Sequence, residues 1–594
     1  MTSHREDFAV SADNTATVRP LVMGRRGMVA AGHYAAARAG DHILAVGGNA
    51  IDAGVAAGIA LNVLLFDRTS FGGVAPIILY HAATDEVVTL DGLGVWPGLT
   101  SLAQLRAAGD GQMPVGILRS VTPAAPDAWL TALARYGTRT LGEVLEPSIE
   151  LAEGAPVSTC VAATLRGLAK NLDRLDPVAV QTFFPGGRAP DVGAVVTQPD
   201  LAALFRALRD EESRARRNGA GRADAILAAR DLFYRGQVAE KVDAFHRANG
   251  GWMRYDDLAG HAVEVAPALQ TSYHGYDVHT CGPWCQGPVL IQFLNLLEAS
   301  GVERLAHNSA EYLHLLVEAM NLALADRENF YGDPTFVKVP LVGLLSKEYA
   351  RERAARIKPD RAAGQMPAPG NPWRYEPGEA ARRVTPVDVS AYAVGEGQVQ
   401  RDTSYVAAGD AAGNLFSATP SDPIFASPMV PGLGFSCSGR GSQSRLDPRH
   451  PSAVAPGKRP RLTPNPALVM RDGRPLLAFG CPGADGQTQG MLQFLLNLVH
   501  FGMNPQQAAE VPRLMSYNYP QSFAPHEYFP GRVDVEARVP AAVREELGRL
   551  GHDVRTAAEW ASSMSTLHAV VINPATGVLL GAADPRRPGA AVGW

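Results

Sequence analysis

The stretch QVQRDTSYVAAGDAAGNLFSATPSD, residues 398–422, places Thr403 where a polar loop enters a strand and Ser421 at the end of the partner strand. Between them, Asp410, Gly413 and Asn414 supply residues that tolerate a tight turn. A threonine hydroxyl is a weak nucleophile unless a base sits beside it. If the chain is cut just before Thr403, the new α-amino group becomes that base. Its reference pKa of about 8 leaves it substantially neutral near pH 7 to 8. The covalent link fixes it against the hydroxyl. The plain alternative is a β-branched residue opening a strand, with no chemistry attached.

The signatures of commoner chemistries are missing. There is no H-E-x-x-H, no G-x-x-x-x-G-K-[ST] and no G-x-S-x-G. GKRPR (457–461) has no Ser or Thr after its lysine, and GGNAIDAG follows a helix rather than a strand, so neither reads as a phosphate site. The fifteen histidines show no ligand spacing. Five cysteines, Cys160, Cys281, Cys285, Cys437 and Cys481, form no disulfide framework. CGPWC has three residues between its thiols and no second pair nearby, so no metal is expected.

The 594 residues are 46% hydrophobic and 19% charged, with a formal charge of −5. That is the composition of a soluble globular protein with no nucleic-acid partner. RARRNGAGR (214–222) reads as a solvated loop. The start MTSHREDFAVSADNTATVRP lacks the basic and apolar regions of a secretion signal. No stretch approaches about 18 uninterrupted apolar residues. A cytoplasmic protein acting on a small molecule, with no membrane partner, is the expectation.

Several elements must position the threonine. Residues 1 to about 24 read as a flexible arm. HYAAARAGDHILAVGG and NAIDAGVAAGIALNVLL read as two helices whose Ala and Gly imply very close packing. APIILYHAATDEVVTLDG reads as a hairpin, and helical periodicity dominates 124–172 and 197–248. The longest amphipathic helix lies within 306–334. A Pro-rich stretch over 358–387 reads as an exposed crossing. PALVMRDGRPLLAFGCPG, turned at Asp472-Gly473, and LHAVVINPATGVLLGAADP read as hairpins on either side of the helix GMLQFLLNLVHFGM. No βαβ alternation recurs, so stacked antiparallel sheets with helices outside are expected rather than a doubly wound sheet.

Four ordered blocks carry a resemblance: GMVAAGHYAAARAGDHILAVGGNAIDAGVAA, HNSAEYLHLLVEAMNLALADRENFYGDP, the run from APGKRPRLTPNPALVM to NPQQAAEVPR, and GAADPRRPGA. From about residue 27 to its end the chain resembles the gamma-glutamyltranspeptidase family of N-terminal nucleophile hydrolases. SGRGSQSRLDP resembles the cephalosporin-acylase-like branch. The resemblance implies an α+β, αββα four-layer sandwich made as one precursor that cuts itself between Asp402 and Thr403. It divides the chain into a large region, 25–402, and a small one, 403–594, which stay together as a heterodimer; a dimer of such pairs is left open. Thr403 becomes the nucleophile, Ser421 bonds its hydroxyl, and the amides of Gly483 and Ala484 face the developing oxyanion. No cofactor is implied, since the freed amine moves the protons.

Other positions depart from the family's pattern. Leu93 stands where an arginine holds the glutamate carboxylate. Leu462 and Thr463 replace paired serines, Pro423 an asparagine, and Tyr405 a histidine. A leucine offers none of the paired donors that a carboxylate wants. The acylation machinery is therefore expected to persist while the glutamyl-reading machinery does not. Arg440 is a candidate to hold a different acid group, or equally to brace its loop. An oxamate-type amidohydrolase or acylase fits this pattern. So does a hydrolase of a carbon–carbon bond beside a keto acid, as in pathways to 4-alkyl-prolines. A conventional γ-glutamyl transferase and an unprocessed, non-catalytic scaffold are the remaining alternatives.

Overall fold

The computed structural model describes residues 17–379, 382–395 and 402–594. Two seven-stranded antiparallel sheets form its centre. From edge to edge the first runs Val22–Gly24, Leu579–Ala583, His568–Ile572, Arg474–Gly480, Ala467–Arg471, Tyr276–Thr280 and Leu269–Tyr273. The second runs Ala590–Gly593, Gly27–Ala31, Val406–Asp410, Leu415–Ala418, Ile77–His81, Glu86–Leu90 and Val265–Pro267. Among the described residues, no helix is long and apolar enough to cross a membrane.

The strand periodicity of two sorts the side chains into layers. Met28 and Ala30 point between the sheets with Tyr405, Ala407, Leu468 and Ala478. Their neighbours Val29, Ala31, Val406 and Ala408 point into a helical layer that includes Tyr34–Ala45, Ala50–Leu64 and Ala125–Tyr136. Ala467 and Val469 point the other way, towards Gly287–Ser300, Ala310–Phe330 and Gln487–Val499. The result is the expected αββα sandwich.

The small-residue helix Ala50–Leu64 is buried along its whole length. A Cβ on Gly54 would stand 2.1 Å from the Phe416 ring, and one on Gly58 2.4 Å from Trp129. Glycine is what lets this helix approach the strand carrying Phe416. Asp52 is no misplaced charge: it completes the capping box with Asn49 and accepts the amides of Thr138 and Arg139. The Asp410 carboxylate closes the predicted turn by accepting Ala412 N and Asn414 N, and it also accepts Ala50 N at 2.8 Å. One turn residue thus locks the hairpin to the helix beneath it.

The structure adds to the sequence reading at three places. The arm expected over 1–24 is already part of the fold at its C-terminal end. Val22–Gly24 pairs with Leu579–Ala583, and the amides of Val18 and Arg19 donate to Glu510; residues 1–16 lie outside the described residues. The Pro-rich crossing is largely exposed, as expected, and is also anchored at several points: Ala363 N donates to Glu318, Gly370 N to Asp326, and Trp373 is buried. The hairpin Leu269–Tyr273/Tyr276–Thr280 was not read from the sequence, because its edge strand Leu269–Tyr273 exposes polar positions and carries little apolar alternation.

Candidate active site

Thr403 lies just before the strand Val406–Asp410. Its amide donates to Arg68 O at 3.1 Å, the amide of Ser404 donates to Pro420 O, and Gly32 N donates to Tyr405 O. These backbone bonds fix the residue from three sides. The chain is continuous through Asp402–Thr403, and Thr403 has φ +89°. That conformation costs a β-branched residue about 1–3 kcal/mol, so the peptide just before the proposed nucleophile is strained.

Ser421 enters the site from the paired segment. Its backbone bridges Val74, with Ser421 N donating to Val74 O at 2.9 Å. Thr403 Oγ1 and Ser421 Oγ are 2.6 Å apart, and Thr403 Oγ1 donates to Asp402 Oδ1 at 2.9 Å. Both hydroxyls and Asp402 are buried. Arg440, with no exposed surface, donates Nη2 to Asp402 Oδ2 at 2.6 Å and also to Ser421 Oγ. Its guanidinium lies over the Phe523 ring, 5.1 Å from the centroid. Arg440 Nε is 3.8 Å from Asp422 Oδ2. Burial pushes the Asp422 carboxyl above its ordinary range; Arg440 opposes the shift and the nearby Asp402 charge adds to it.

The glycine-rich loop lies alongside. Pro482 lines the same small cavity as Thr403, Ser404, Arg68 and His568, a space of only about 10 Å³. That is room for about one water and none for a substrate. Gly483 has φ +135° and Ala484 φ +52°. The turn is held by buried charge: Asp485 accepts Ser522 N at 2.8 Å, Ser522 Oγ at 2.6 Å, and Arg327 Nη1. Gln286 joins this scaffold, its Nε2 donating to Thr463 O and Ala484 O while its Oε1 accepts from Arg327. Next to Arg327, Glu328 takes Arg445, Arg461 and His450 around one carboxylate. Burial alone would raise its pKa, but the two arginines hold it well below the ordinary range.

The remaining candidates divide. Leu93 and Leu462 meet in one apolar cluster with Val74, Cys281, Trp284 and Cys285. Through Val74 this cluster abuts the Ser421 backbone. Thr463 is buried with its hydroxyl accepting from Gln443 Nε2. Pro423 opens the short turn Ile424–Ala426 directly after Asp422. Tyr405 is not drawn into the site. It lies in the layer between the sheets, its hydroxyl 2.6 Å from Ser417 Oγ, because its strand position faces the other sheet. Sequence reading missed Asp402 as a hydrogen-bond partner, along with Asp422, Arg68 and Phe523. None has a local signal, since each reaches the site only through the chain's tertiary path.

This arrangement brings together a threonine hydroxyl, a second hydroxyl bonded to it and a carboxylate. A fixed cation and a rigid turn of amides complete it. The family model described as Gamma-glutamyltranspeptidase matches residues 36–594. The chain is 32% identical to the Acylase ACY 1 proenzyme of Pseudomonas sp. (strain SE83), over 98% of this chain and 96% of that protein. It is 31% identical to the Glutathione hydrolase-like YwrD proenzyme of Bacillus subtilis, over 96% and 99%. Among solved structures it is similar to LmbA2991HD, with a TM-score of 0.88 at 35% identity over 98% of this chain and 100% of that one. It is also similar to cephalosporin acylase from Bacillus halodurans, with a TM-score of 0.81 at 28% identity over 98% and 99%.

Proposed function

The chain belongs to the gamma-glutamyltranspeptidase family, and from that premise we propose that it cuts itself between Asp402 and Thr403 and then carries an acyl group on Thr403. Its relatives are hydrolases and acylases of the N-terminal nucleophile type, named as proenzymes. The observation that carries the reading is the buried contact of the Thr403 hydroxyl with Ser421 and Asp402 under Arg440.

In self-cleavage, Asp402 Oδ1 takes the Thr403 hydroxyl proton and Oγ1 bonds to the Asp402 carbonyl carbon. The C–N bond breaks and the nitrogen takes a proton. Water then cleaves the ester, leaving an α-carboxylate on Asp402 and an α-amine on Thr403. In turnover that amine takes the hydroxyl proton, and Oγ1 bonds to the acyl carbon of the substrate. The amides of Gly483 and Ala484 receive the oxyanion, the leaving group departs with the proton, and water releases the acid.

Two features support a substrate other than a γ-glutamyl compound. The apolar cluster around Leu93 and Leu462 contains no charged side chain to pair with an amino-acid zwitterion, and leaving such groups unpaired costs about 1–3 kcal/mol each. Arg440, in contrast, has two nitrogens, Nε and Nη1, that donate no hydrogen bond. Self-cleavage frees the segment bearing Asp402 to withdraw, and the arginine fork then faces Thr403. An acyl group bearing an acid close to the reactive carbonyl fits that fork. Its leaving group is an amine, as in an oxamate-type amide, or a stabilised carbon, as beside a keto acid.

The test is intact-mass measurement of the small fragment after incubation with an oxamate-type amide, an α-keto acid and a γ-glutamyl anilide. An adduct on Thr403 from either acidic acyl donor supports the reading. Rapid turnover of the anilide instead makes the protein a conventional γ-glutamyl transferase. Thr403→Ala is expected to remain a single polypeptide on a denaturing gel and to lose all turnover. Two fragments from that variant sink the proposal.

A further inference from the structure

Away from Thr403, the helix Ala310–Phe330 presents a second cluster of chemically capable groups. His314 and Glu318, four residues apart, share one face of the helix. His552 joins them from the turn before the strand Asp553–Ala557. One ligand atom from each of the three lies within 4.8 Å of the others, and all three side chains are buried. The cluster unites residues 238 positions apart, which is why no ligand spacing along the chain disclosed it.

The hydrogen bonds fix the imidazole orientation. His314 Nε2 lies 2.7 Å from Lys358 O, a carbonyl that only accepts, so Nε2 carries the proton and Nδ1 is bare. The bare Nδ1 points inward and stands 2.8 Å from His552 Nε2. A carbonyl on the outer nitrogen is the arrangement that orients metal-binding histidines. Glu318 stands beside the pair, held by Ala363 N at 3.2 Å. His314 also lines a groove of about 510 Å³ with Ser300, Leu305, Ala355 and Ile357, so the cluster borders open space at this residue.

We infer that His314, Glu318 and His552 form a site for a divalent cation of the zinc class, bound through His314 Nδ1, His552 Nε2 and a Glu318 oxygen. Nitrogen and oxygen ligands sit about 2.0–2.2 Å from such an ion. The two imidazoles, now separated by one shared proton, part by about half an ångström to admit it. Three bonds to the cation form; His552 gives its Nε2 proton to water and takes one back at Nδ1, a change of tautomer with no net loss of a proton. The fourth position opens to the groove and holds water. The cation ties the helix that carries Arg327 and Glu328 to the turn at His552 and, through Lys358 and Ala363, to the anchored Pro-rich segment. Its role is structural and independent of Thr403.

The experiment uses the full chain after dialysis against a chelator. Calorimetric titration with zinc chloride is expected to show one ion per chain, and cobalt chloride is expected to give the visible absorption of a cobalt–imidazole centre. His552→Asn and Glu318→Gln are each expected to weaken zinc binding at least about tenfold. The absence of saturable binding, or unchanged binding in both variants, overturns the site. Should either variant fail to fold, the cobalt spectrum of the unaltered chain decides, and its absence is equally fatal. Cleavage at Asp402–Thr403, followed on the same samples, is expected in every chain that folds, with or without zinc, so this result stands apart from the proposed reaction.

Discussion

Ser421 has two sides that differ in kind. Its side chain faces Thr403, Asp402 and Arg440, a cluster of hydroxyls and charges shut away from water. Its backbone pairs with Val74, the first residue of an apolar wall that continues into Leu93, Leu462 and Trp284. A buried cation is tolerated only while it is paired and hydrogen-bonded, whereas an apolar wall needs only shape. The polar side is therefore constrained by chemistry and the apolar side by fit. Within one family fold, the reaction can be retained on one side while the group it recognises changes on the other.

The largest expected effect strikes the polar side. Arg440→Lys replaces a planar guanidinium, whose Nη2 donates to both Asp402 and Ser421, with a point charge on a flexible stem. Self-cleavage, timed on denaturing gels, is expected to slow about 10²-fold or more, the scale of losing one oriented donor. Cleavage at the original pace would show that the polar side owes nothing to the fork. Leu93→Ala strikes the other side. Removing a fully buried leucine is expected to cost about 2–5 kcal/mol in a denaturant melt. Its self-cleavage time is expected to stay within about threefold of the parent chain, since Leu93 meets the polar side through Val74 and none of the hydroxyls or charges at Thr403 lies in its cluster. A large slowing would erase the distinction between the sides.

How far the sequence discloses this arrangement follows from the range of each interaction. Hairpins and long helices were legible because their periodicity is local. Tyr405 illustrates a reading that went astray although the local pattern held the answer: with Val406 and Ala408 facing the helices, Tyr405 must face the opposite sheet. The family's pattern drew attention to what replaces a histidine there, and the strand alternation was not applied to it. The Arg440–Asp402 pair lies at the other extreme. The two residues are 38 positions apart, and their contact depends on a turn at Asp422 that itself has φ +89°. The three-residue cluster at His314 is harder still, since only its Glu318 neighbour is visible along one helix.

Acid should weaken the polar side before the apolar one. His568 lines the cavity beside Thr403 and is fully buried there, and burial pushes its pKa down to about 4. The unfolded chain takes up that proton near pH 6.5, while the folded chain resists until about pH 4. Stability is therefore full above about pH 6.5 and falls as the pH drops towards 4, by about 3 kcal/mol from this one group. Urea melts at a series of pH values are expected to show the slope, and His568→Gln is expected to flatten it by that amount. An unchanged slope would remove His568 from the polar side.

The smallest effect separates the site from the core directly beneath it. Tyr405 follows Thr403 by two residues, yet its hydroxyl pairs with Ser417 in the layer between the sheets. Its ring packs so close to Gly480 that a Cβ there would stand 2.3 Å away, and a ring so confined cannot swing towards a substrate without opening the sheets. Tyr405→Phe keeps the ring and deletes one buried hydrogen bond, so a loss of about 1 kcal/mol is expected in a thermal or urea melt. KM and kcat for whichever acyl donor labels Thr403 are expected to remain those of the parent chain. A change in KM without a change in stability would place the hydroxyl at the substrate, and the boundary between reaction and recognition would then have to run through the nucleophile's own strand.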